Sequence, residues 1–415
     1  MAFDAPQDSR EADICLILFA VYHATDNIAS QRFKGLLQFL DRDCVQAKVI
    51  TLPQARPALQ TTEGIEYVGG KTHVQASWPD VTETAKTLFG LGTPRRAAKG
   101  AQYYMKEAAA QAIAIGRAAK AAGQRVVMMG TYDPLDALVA AHRAARVVGA
   151  PLVLDFRDGY AHDNLVPASP QLHRLRGLIE GQLVRRAAAI IAVTRPLCED
   201  FRLRYPRKPV FLLPNGFMPH LHFCSGQPAP VPANRPVRLG HFGRIGHSDQ
   251  SSVATFAAIC AQLADLPADQ RNAFALTFMG HLRQDEIAMA QGLGDQVSLI
   301  PEQPAADAAH AMREMDALLL VTGSRATTAT GKFYQYLASG KRIVLVSRVE
   351  NEASRTLRDI GDDDVIHILG DAPLDFAALA DQLRQPFRRN QAAIAGYAKD
   401  VQAWDLLTIL NSVLR

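Results

Sequence analysis

One segment near residue 330 constrains the fold more than any other part of the sequence. Residues 318–321 form an unbroken apolar run, which predicts a strand buried on both faces of a parallel sheet. Small polar residues at 322–331 predict a loop, and residues 332–339 predict an amphipathic helix that ends at Gly340. Because this loop follows a strand and opens a helix, its N–H groups and the helix dipole can meet an anion. Ligands of open α/β sheets usually bind at this edge.

The remainder of the chain alternates strands with helices. Residues 217–236 interrupt the alternation, since they contain five prolines and no periodic apolar signal. The sequence therefore predicts an α/β protein with an N-terminal domain at 1–216, a linker at 217–236 and a C-terminal domain at 237–389. One long helix is predicted over residues 390–414. Predicted strands lie near 13–21, 45–52, 65–68, 125–129, 151–156, 189–193, 210–213, 237–242, 274–279, 297–300, 317–321, 343–346 and 365–369.

Composition narrows the functional classes. The 415 residues are 48% hydrophobic and 21% charged, as in soluble globular proteins, and a net charge of +4 is too small to indicate nucleic-acid binding. Five cysteines without a C-x-x-C pair favour reduced thiols in the cytoplasm and no metal site. The polar N-terminus is unlike a signal peptide, and every apolar run is too short for a membrane span.

Two common nucleotide-binding motifs are missing. Neither domain has G-x-G-x-x-G after its first strand, and no Walker A loop occurs. Dinucleotide oxidoreductases and P-loop enzymes are therefore disfavoured. The remaining expectation is a ligand site between two Rossmann-like sheets whose carboxyl ends face a cleft.

Five segments together resemble the retaining glycosyltransferases of the GT-B fold, and most closely family 4. The resemblance implies two Rossmann-like doubly wound domains facing a cleft, with the last helix returning to the N-terminal domain. It also implies transfer of a sugar from a nucleotide-diphosphate sugar to an acceptor hydroxyl, with retention and without a metal or other cofactor. The C-terminal domain would bind the donor and the N-terminal domain the acceptor. The segments lie at 29–32 (ASQR), 154–158 (LDFRD), 190–216 (ending in PNG), 240–244 (GHFGR) and 331–346 (GKFYQYLASGKRIVLV).

The sequence departs from the family pattern at several positions. The two glutamates that the family carries near the donor are replaced by Thr327 and Gln335. No lysine occurs at 245–252, where the family has one that binds the diphosphate. The loop at 23–30 contains no glycine, and Arg342 stands where proline is usual. Two alternatives therefore stay open. One is an epimerase or phosphorylase on the same fold, because a fold does not fix a function. The other is a non-catalytic paralogue that serves as partner or scaffold, and the missing glutamates and lysine motivate it.

The donor-site candidates surround two turns. Gly243 and Arg244 follow the first strand of the C-terminal domain, where a guanidinium can stabilise a phosphate; a solvated surface arginine is the alternative. Lys332 opens a helix, where a cation opposes the dipole unless an anion is bound; a surface lysine is the alternative. The other candidates offer hydroxyl, amide or N–H groups, with an ordinary polar loop as the alternative: Ser324, Thr327, Thr330, Gly331 and Gln335.

The N-terminal candidates follow its first and fifth strands. Asp158 and His162 are the catalytic candidates, since either group can orient an acceptor hydroxyl or stabilise positive charge at the sugar. An ion pair of Asp158 with Arg157 is the alternative for that carboxylate. Ser30 and Arg32 lie in the first segment of the resemblance and are candidates for acceptor binding; for Arg32 the alternatives are a phosphate contact and a helix-surface position. His23, in the loop after the first strand, is a further cleft candidate for acceptor binding, with a purely structural role as the alternative.

The partners follow from the same interpretation. They are a nucleotide-sugar donor and an acceptor that is a glycan, a lipid-linked sugar or a small molecule. Aromatic and basic residues at 84–106 are consistent with peripheral contact with an anionic membrane, and a plain surface helix is the alternative. The arginines between 174 and 207 favour a solvated helix face over an anionic partner. The protein is thus expected in the cytoplasm, including the inner face of the membrane, and its oligomeric state is not predicted.

Overall fold

The computed structural model describes residues 13–21, 23, 28–51, 65–68, 103–162, 169–222, 230–246, 249–369 and 373–415. The chain divides into two compact units. The N-terminal unit comprises Met1–Val193, Leu197–Leu213 and Gln402–Arg415, and the C-terminal unit comprises Thr194–Pro196 and Pro214–Val401. Of the segment 84–106, predicted to contact a membrane, residues 84–102 lie outside the described residues.

The N-terminal unit is built on a parallel sheet of seven described strands in the order β3-β2-β1-β4-β5-β6-β7. After β3 the chain returns past β1 and forms β4 on its other side. The topological switch point therefore lies between β1 and β4. The strands are β1 (Ile14–Phe19), β2 (Val45–Ile50), β3 (Ile65–Val68), β4 (Arg125–Tyr132), β5 (Leu152–Phe156), β6 (Ala189–Ala192) and β7 (Val210–Leu212). The helices are α1 (Ile28–Gln38), α2 (Ala109–Ala121, preceded by a π-helical turn at Tyr103–Ala108), α3 (Leu135–Val148), α4 (Pro170–Arg186) and α5 (Arg195–Arg204).

The C-terminal unit has a second parallel sheet, with six described strands in the order β10-β9-β8-β11-β12-β13. Its switch point lies between β8 and β11. The strands are β8 (Val237–Phe242), β9 (Phe274–Met279), β10 (Val297–Ile300), β11 (Ala317–Val321), β12 (Arg342–Ser347) and β13 (Val365–Ile368). The helices are α6 (Pro219–His222), α7 (Gln250–Ala264), α8 (Ala268–Arg271), α9 (Gln284–Gln291), α10 (Ala305–Glu314), α11 (Gly331–Ala338), α12 (Glu352–Ile360), α13 (Phe376–Arg384) and α14 (Gln391–Ala395). The last helix, α15 (Lys399–Val413), begins in this unit and belongs to the N-terminal unit from Gln402 onwards.

Each sheet is buried on both faces. All six residues of β1 are buried, and they divide between two apolar clusters, one on each side of the sheet. In the C-terminal unit, β11 and β12 are also fully buried, and their apolar residues divide between two further clusters. Each fully buried aliphatic side chain contributes about 1.5–3 kcal/mol, which is why these strands read as continuous apolar runs.

Most of the last helix, from Gln402 onwards, belongs to the N-terminal unit, as predicted. Leu406, Ile409 and Leu410 are buried in the same cluster as Leu16 of β1. The prediction of one unbroken helix over 390–414 is wrong, because α14 ends before Gly396 and α15 begins at Lys399. Within the predicted linker, the described residues include α6 and Phe217, which forms a parallel bridge with Ala398.

Candidate functional site

Two glycine turns meet at the carboxyl edge of the C-terminal sheet. Gly243 follows β8 with φ +94°, and its N–H donates to the carbonyl of Met279 at 2.7 Å. Gly280 follows β9 with φ +146°, and a Cβ there would lie 2.8 Å from Cα and O of Gly243. Only glycine suits positions of positive φ and such close approach, so two backbones are held in contact beside the switch point.

Two buried side chains fix the first turn. The Tyr336 hydroxyl accepts a hydrogen bond from the Phe242 N–H at 2.7 Å. The Glu286 carboxylate is 1% exposed and accepts from Gly246 N–H and Arg283 N–H, both at 2.9 Å. The chain from 242 to 246 is therefore preorganised rather than a loose loop.

Lys332 lies against this turn. It is the second residue of α11 and half-buried, and its Nζ donates to the carbonyl oxygen of Arg244. A Cβ at Gly243 would lie 3.8 Å from the same Nζ. Burial lowers the pKa of Lys332 to about 8, and the nearby Glu286 carboxylate opposes that shift. An ammonium in this place lacks a full countercharge.

His241 lies beneath the lysine. Its side chain is fully buried, with Nδ1 2.9 Å from the carbonyl oxygen of Leu319 and Nε2 3.2 Å from Lys332 Nζ. Burial, and secondarily the charge of Lys332, hold the pKa of His241 well below its usual value, so the imidazole is neutral at pH 7. No local pattern indicates a role for His241, because its partner Lys332 lies 91 residues away in the chain.

The loop before α11 is anchored to the start of α7. A Cβ at Gly323 would lie 2.0 Å from Ser251 Oγ and 2.3 Å from Asp249 Oδ2, so a larger residue would displace these two side chains. The Ser324 N–H donates to Ser251 Oγ at 2.8 Å, which leaves the Ser324 side chain exposed. This contact orients the loop on the sheet edge.

The other predicted donor residues are distributed along the loop and α11. Thr330 is the N-cap of α11, is exposed, and makes no capping bond with its side chain. Thr327, Gly331 and Gln335 are half-buried, and the space around Gly331 is open. The structure thus brings Gly243, Arg244 and Lys332 together at the N-terminus of α11, while Ser324 and Thr327 lie on the adjoining loop.

This arrangement is suited to an anion. It combines a preorganised glycine turn, one ammonium group and the N-terminus of a helix whose first turn carries no acidic residue. The helix dipole and the ammonium both favour negative charge. In the described part of the chain, no cluster of three or more His, Cys, Asp or Glu side chains could hold a metal ion.

In the N-terminal unit, Arg32 serves an internal ion pair. It is 4% exposed, and its Nη2 donates to Asp155 Oδ1 at 2.8 Å and to the Leu213 carbonyl at 2.9 Å. Thr131 donates to the other oxygen of Asp155 at 2.7 Å. The helix-surface alternative for Arg32 is therefore wrong, since this guanidinium joins α1 to β5 and to Leu213 after β7, and Asp155 in turn is held by Thr131 of β4.

The remaining N-terminal candidates differ in burial. His23 is 1% exposed, and burial followed by the charge of Lys34 lowers its pKa to about 4, so it is neutral at pH 7. Asp158 and His162 are half-buried, and the His162 ring lies edge-on to His173 with centroids 4.8 Å apart. The side chain of Ser30 lies outside the described residues.

Two carboxyl groups after β4 were not among the candidates. Arg157 donates to the carbonyl oxygens of Tyr132 and Asp133, both at 2.9 Å, and so fixes this turn. Burial raises the pKa of Asp133 to about 7, with Arg157 opposing and Asp158 adding to the shift. Burial also raises the pKa of Asp136 to about 7. The available signal was an Asp-Pro pair at a strand end next to the switch point.

Comparison with known proteins supports the predicted resemblance. Residues 29–216 match the family profile described as Glycosyl transferase 4-like domain. A sequence search finds no significant match among curated proteins. Within the described residues, no helix is long and apolar enough to cross a membrane.

Solved structures with a similar fold cover almost the whole chain. Sucrose-phosphate synthase from Thermosynechococcus elongatus matches with TM-score 0.61 and 13% identity, over 96% of this chain and 98% of that one. HepE from Anabaena in complex with UDP and glucose matches with TM-score 0.62 and 14% identity, over 96% of this chain and 99% of that one. A putative UDP-N-acetylglucosamine 2-epimerase from Listeria monocytogenes matches with TM-score 0.54 and 14% identity, over 97% of this chain and 96% of that one. The fold predicted from the resemblance, GT-B-like with two Rossmann-like domains, is confirmed.

Proposed function

We propose that this protein is a glycosyltransferase that moves a sugar from a nucleotide-diphosphate sugar to an acceptor hydroxyl. The C-terminal unit binds the donor and the N-terminal unit binds the acceptor. Transfer proceeds with retention of configuration and needs no metal. The acceptor is a glycan, a lipid-linked sugar or a small molecule, and the protein acts in the cytoplasm or at the inner face of the membrane.

The observation that carries this proposal is the half-buried Lys332 at the N-terminus of α11, against the turn of Gly243 and Arg244. A buried ammonium with no full countercharge is costly, and a helix N-terminus makes it costlier. A bound diphosphate removes both costs, because it supplies the missing negative charge and interacts favourably with the N-terminus of the helix. During transfer, the same groups stabilise the charge that develops on the leaving nucleoside diphosphate.

Other groups complete the donor site. Arg244 provides a guanidinium and Gly243 a close backbone approach. Gln335 lies one turn into α11 and can hydrogen-bond a ribose hydroxyl, although without the charge assistance of a carboxylate. The polar groups of Ser324, Thr327 and Thr330 would bind the phosphates or the sugar.

The acceptor side is assigned to groups after β4 and β5. Asp133 has a pKa near neutrality because of burial, so it can accept or return a proton at physiological pH. Asp158 and His162 follow the neighbouring strand and would orient the acceptor hydroxyl. His23 is neutral and lies after β1, on the other side of the switch point.

Nucleotide binding tests the donor site directly. Thermal unfolding and calorimetric titration with UDP, GDP, ADP and CMP should reveal one preferred base. A ligand at a hundred times its dissociation constant adds about 2.7 kcal/mol of stability, which raises the midpoint visibly. HepE, whose structure contains UDP and glucose, makes UDP the first choice.

Lys332→Met should weaken binding of the preferred nucleotide at least tenfold, because a charge-assisted contact contributes about 1.5–3 kcal/mol. Lys341→Met removes the same charge beyond the other end of α11 and should leave affinity unchanged. Equal affinities for the wild type and Lys332→Met would contradict the assigned donor site.

Product analysis separates the alternatives. An epimerase would return the nucleotide-sugar with one inverted carbon and no acceptor product, which NMR of the sugar protons detects. The scaffold alternative is motivated by Thr327 and Gln335 in place of glutamates. Slow hydrolysis of the donor, lost in Lys332→Met, would exclude it. Retention is checked by the anomeric configuration of the first-formed product.

A further inference from the structure

We propose that His241 is a positioning residue for Lys332, and that it couples anion binding at the Gly243–Arg244 turn to uptake of a proton. Its imidazole accepts a hydrogen bond from the lysine and holds the Nζ group against the turn. The inference rests on the proposed donor site, since the anion is a nucleoside diphosphate.

The backbone of β11 sets the tautomer of His241. The Leu319 carbonyl can only accept, and it lies 2.9 Å from Nδ1, so Nδ1 carries the proton and donates. In the neutral ring, Nε2 then carries a lone pair and lies 3.2 Å from Lys332 Nζ, and the Arg244 carbonyl, which also lies near the ring, accepts from the same ammonium. The imidazole is thus an acceptor aimed at the ammonium.

Three kinds of group surround the ammonium. Nζ donates to the carbonyl of Arg244 and to His241 on β8, which accounts for two of its three hydrogens. Glu286 on α9 is the carboxylate that acts on it, and both of its oxygens already accept backbone N–H groups. The third hydrogen is therefore available to a ligand oxygen.

The proton linkage follows from burial. Burial lowers the pKa of Lys332 to about 8, so about half of the free protein carries the proton at pH 8. A bound diphosphate supplies the missing negative charge and favours the ammonium. Binding at pH 8 should therefore take up roughly half a proton per ligand.

Two amide substitutions separate the two hydrogen bonds of His241. In His241→Asn, the amide N–H can still donate to Leu319, but the side chain is too short to accept from Lys332. In His241→Gln, the longer side chain can place its oxygen near the former Nε2. The first variant should lower the pKa of Lys332, and the second should restore it towards the wild-type value.

The first arm of the experiment measures UDP affinity between pH 7 and 9.5, with GDP and ADP as the next probes. The UDP affinity of the wild type should be constant below pH 8 and should decrease about tenfold per pH unit above it. His241→Asn should begin this loss at lower pH, so that at pH 8 it binds at least threefold more weakly. His241→Gln should follow the wild type. A purely structural effect would weaken binding equally at every pH.

The second arm needs no ligand. Selective ¹³C labelling of lysine Cε follows the titration of Lys332, with Lys332→Met to assign the signal. A lower midpoint in His241→Asn than in the wild type supports the inference, and an unchanged midpoint overturns it. If the midpoint shifts but no nucleotide binds, the proposed function fails while the His241–Lys332 pair stands.

Circular dichroism and thermal unfolding check the fold of each variant. If His241→Asn does not fold, the ¹⁵N spectrum of wild-type His241 decides. Protonated Nδ1 and unprotonated Nε2, with a chemical-shift response of Nε2 on Lys332→Met, support the pair. A protonated Nε2 overturns it, since that nitrogen could not accept from the lysine.

Discussion

At the scale of single residues, the donor site depends on groups that no local pattern identifies. Gly243 and Lys332 were predicted, because a glycine after a strand and a lysine at a helix start are visible in the sequence. His241, Glu286 and Tyr336 were missed, because their roles come from contacts with distant segments. A sheet brings such groups together through non-local pairing, which spacing in the chain does not reveal.

Gly280→Ala should destabilise the C-terminal unit by more than about 2 kcal/mol, since φ is +146° and the new Cβ would lie 2.8 Å from the Gly243 backbone. Because the strain falls on the glycine turn, nucleotide affinity should decrease as well. Urea unfolding and calorimetric titration measure the two effects.

Gly331→Ala is the matched control. This glycine lies at the start of α11, does not have positive φ, and has open space around it. Alanine should therefore be neutral or stabilising by up to about 1 kcal/mol. A loss of stability equal to that of Gly280→Ala would contradict the assignment of strain to the Gly280–Gly243 contact.

At the scale of elements, a strand or helix was predicted from the sequence when apolar residues fill its buried faces. Strands such as β1 and β11 were predicted because both faces are buried, which makes their sequences continuously apolar. The helix α10 was missed because it is rich in alanine and buries only two residues. The helix α12 was missed because it buries Glu352, Ser354 and Thr356 beside its apolar residues, so polar positions interrupt the apolar pattern of its inner face. Its cap, Asn351, was a usable signal.

Leu410→Ala in α15 should cost about 2–5 kcal/mol, because Leu410 is 0% exposed in the cluster that covers one face of the N-terminal sheet. Hydrogen exchange should show reduced protection in β1 and β2. Trp404→Ala, in the same helix, removes a side chain that is 64% exposed and should cost less than about 1 kcal/mol. Similar costs for both would mean that α15 is not packed as described.

At the scale of the whole molecule, stability in acid depends on a balance between buried bases and buried acids. His23 and His142 have pKa values near 4, and burial is the main cause for both. The unfolded chain binds their protons near pH 6.5, so stability is lost as pH falls from 6.5 to 4. Asp133 and Asp136 have pKa values near 7, so the folded state binds their protons first. Their contribution to stability increases as pH falls from 7 to about 4.

The two contributions are comparable, at roughly 3–4 kcal/mol per group from 1.36 kcal/mol per pKa unit, and they are opposite in sign. The stability of the N-terminal unit should therefore change little between pH 6.5 and 4.5. In Asp133→Asn/Asp136→Asn the histidine contribution is no longer offset, so stability should fall by several kcal/mol over this interval. The same variant should be more stable than the wild type at pH 8, where it avoids two buried carboxylates. Urea unfolding monitored by hydrogen exchange in β1 and β4 measures this, with exposed Asp307→Asn as the control. A flat profile in the double variant would contradict the balance.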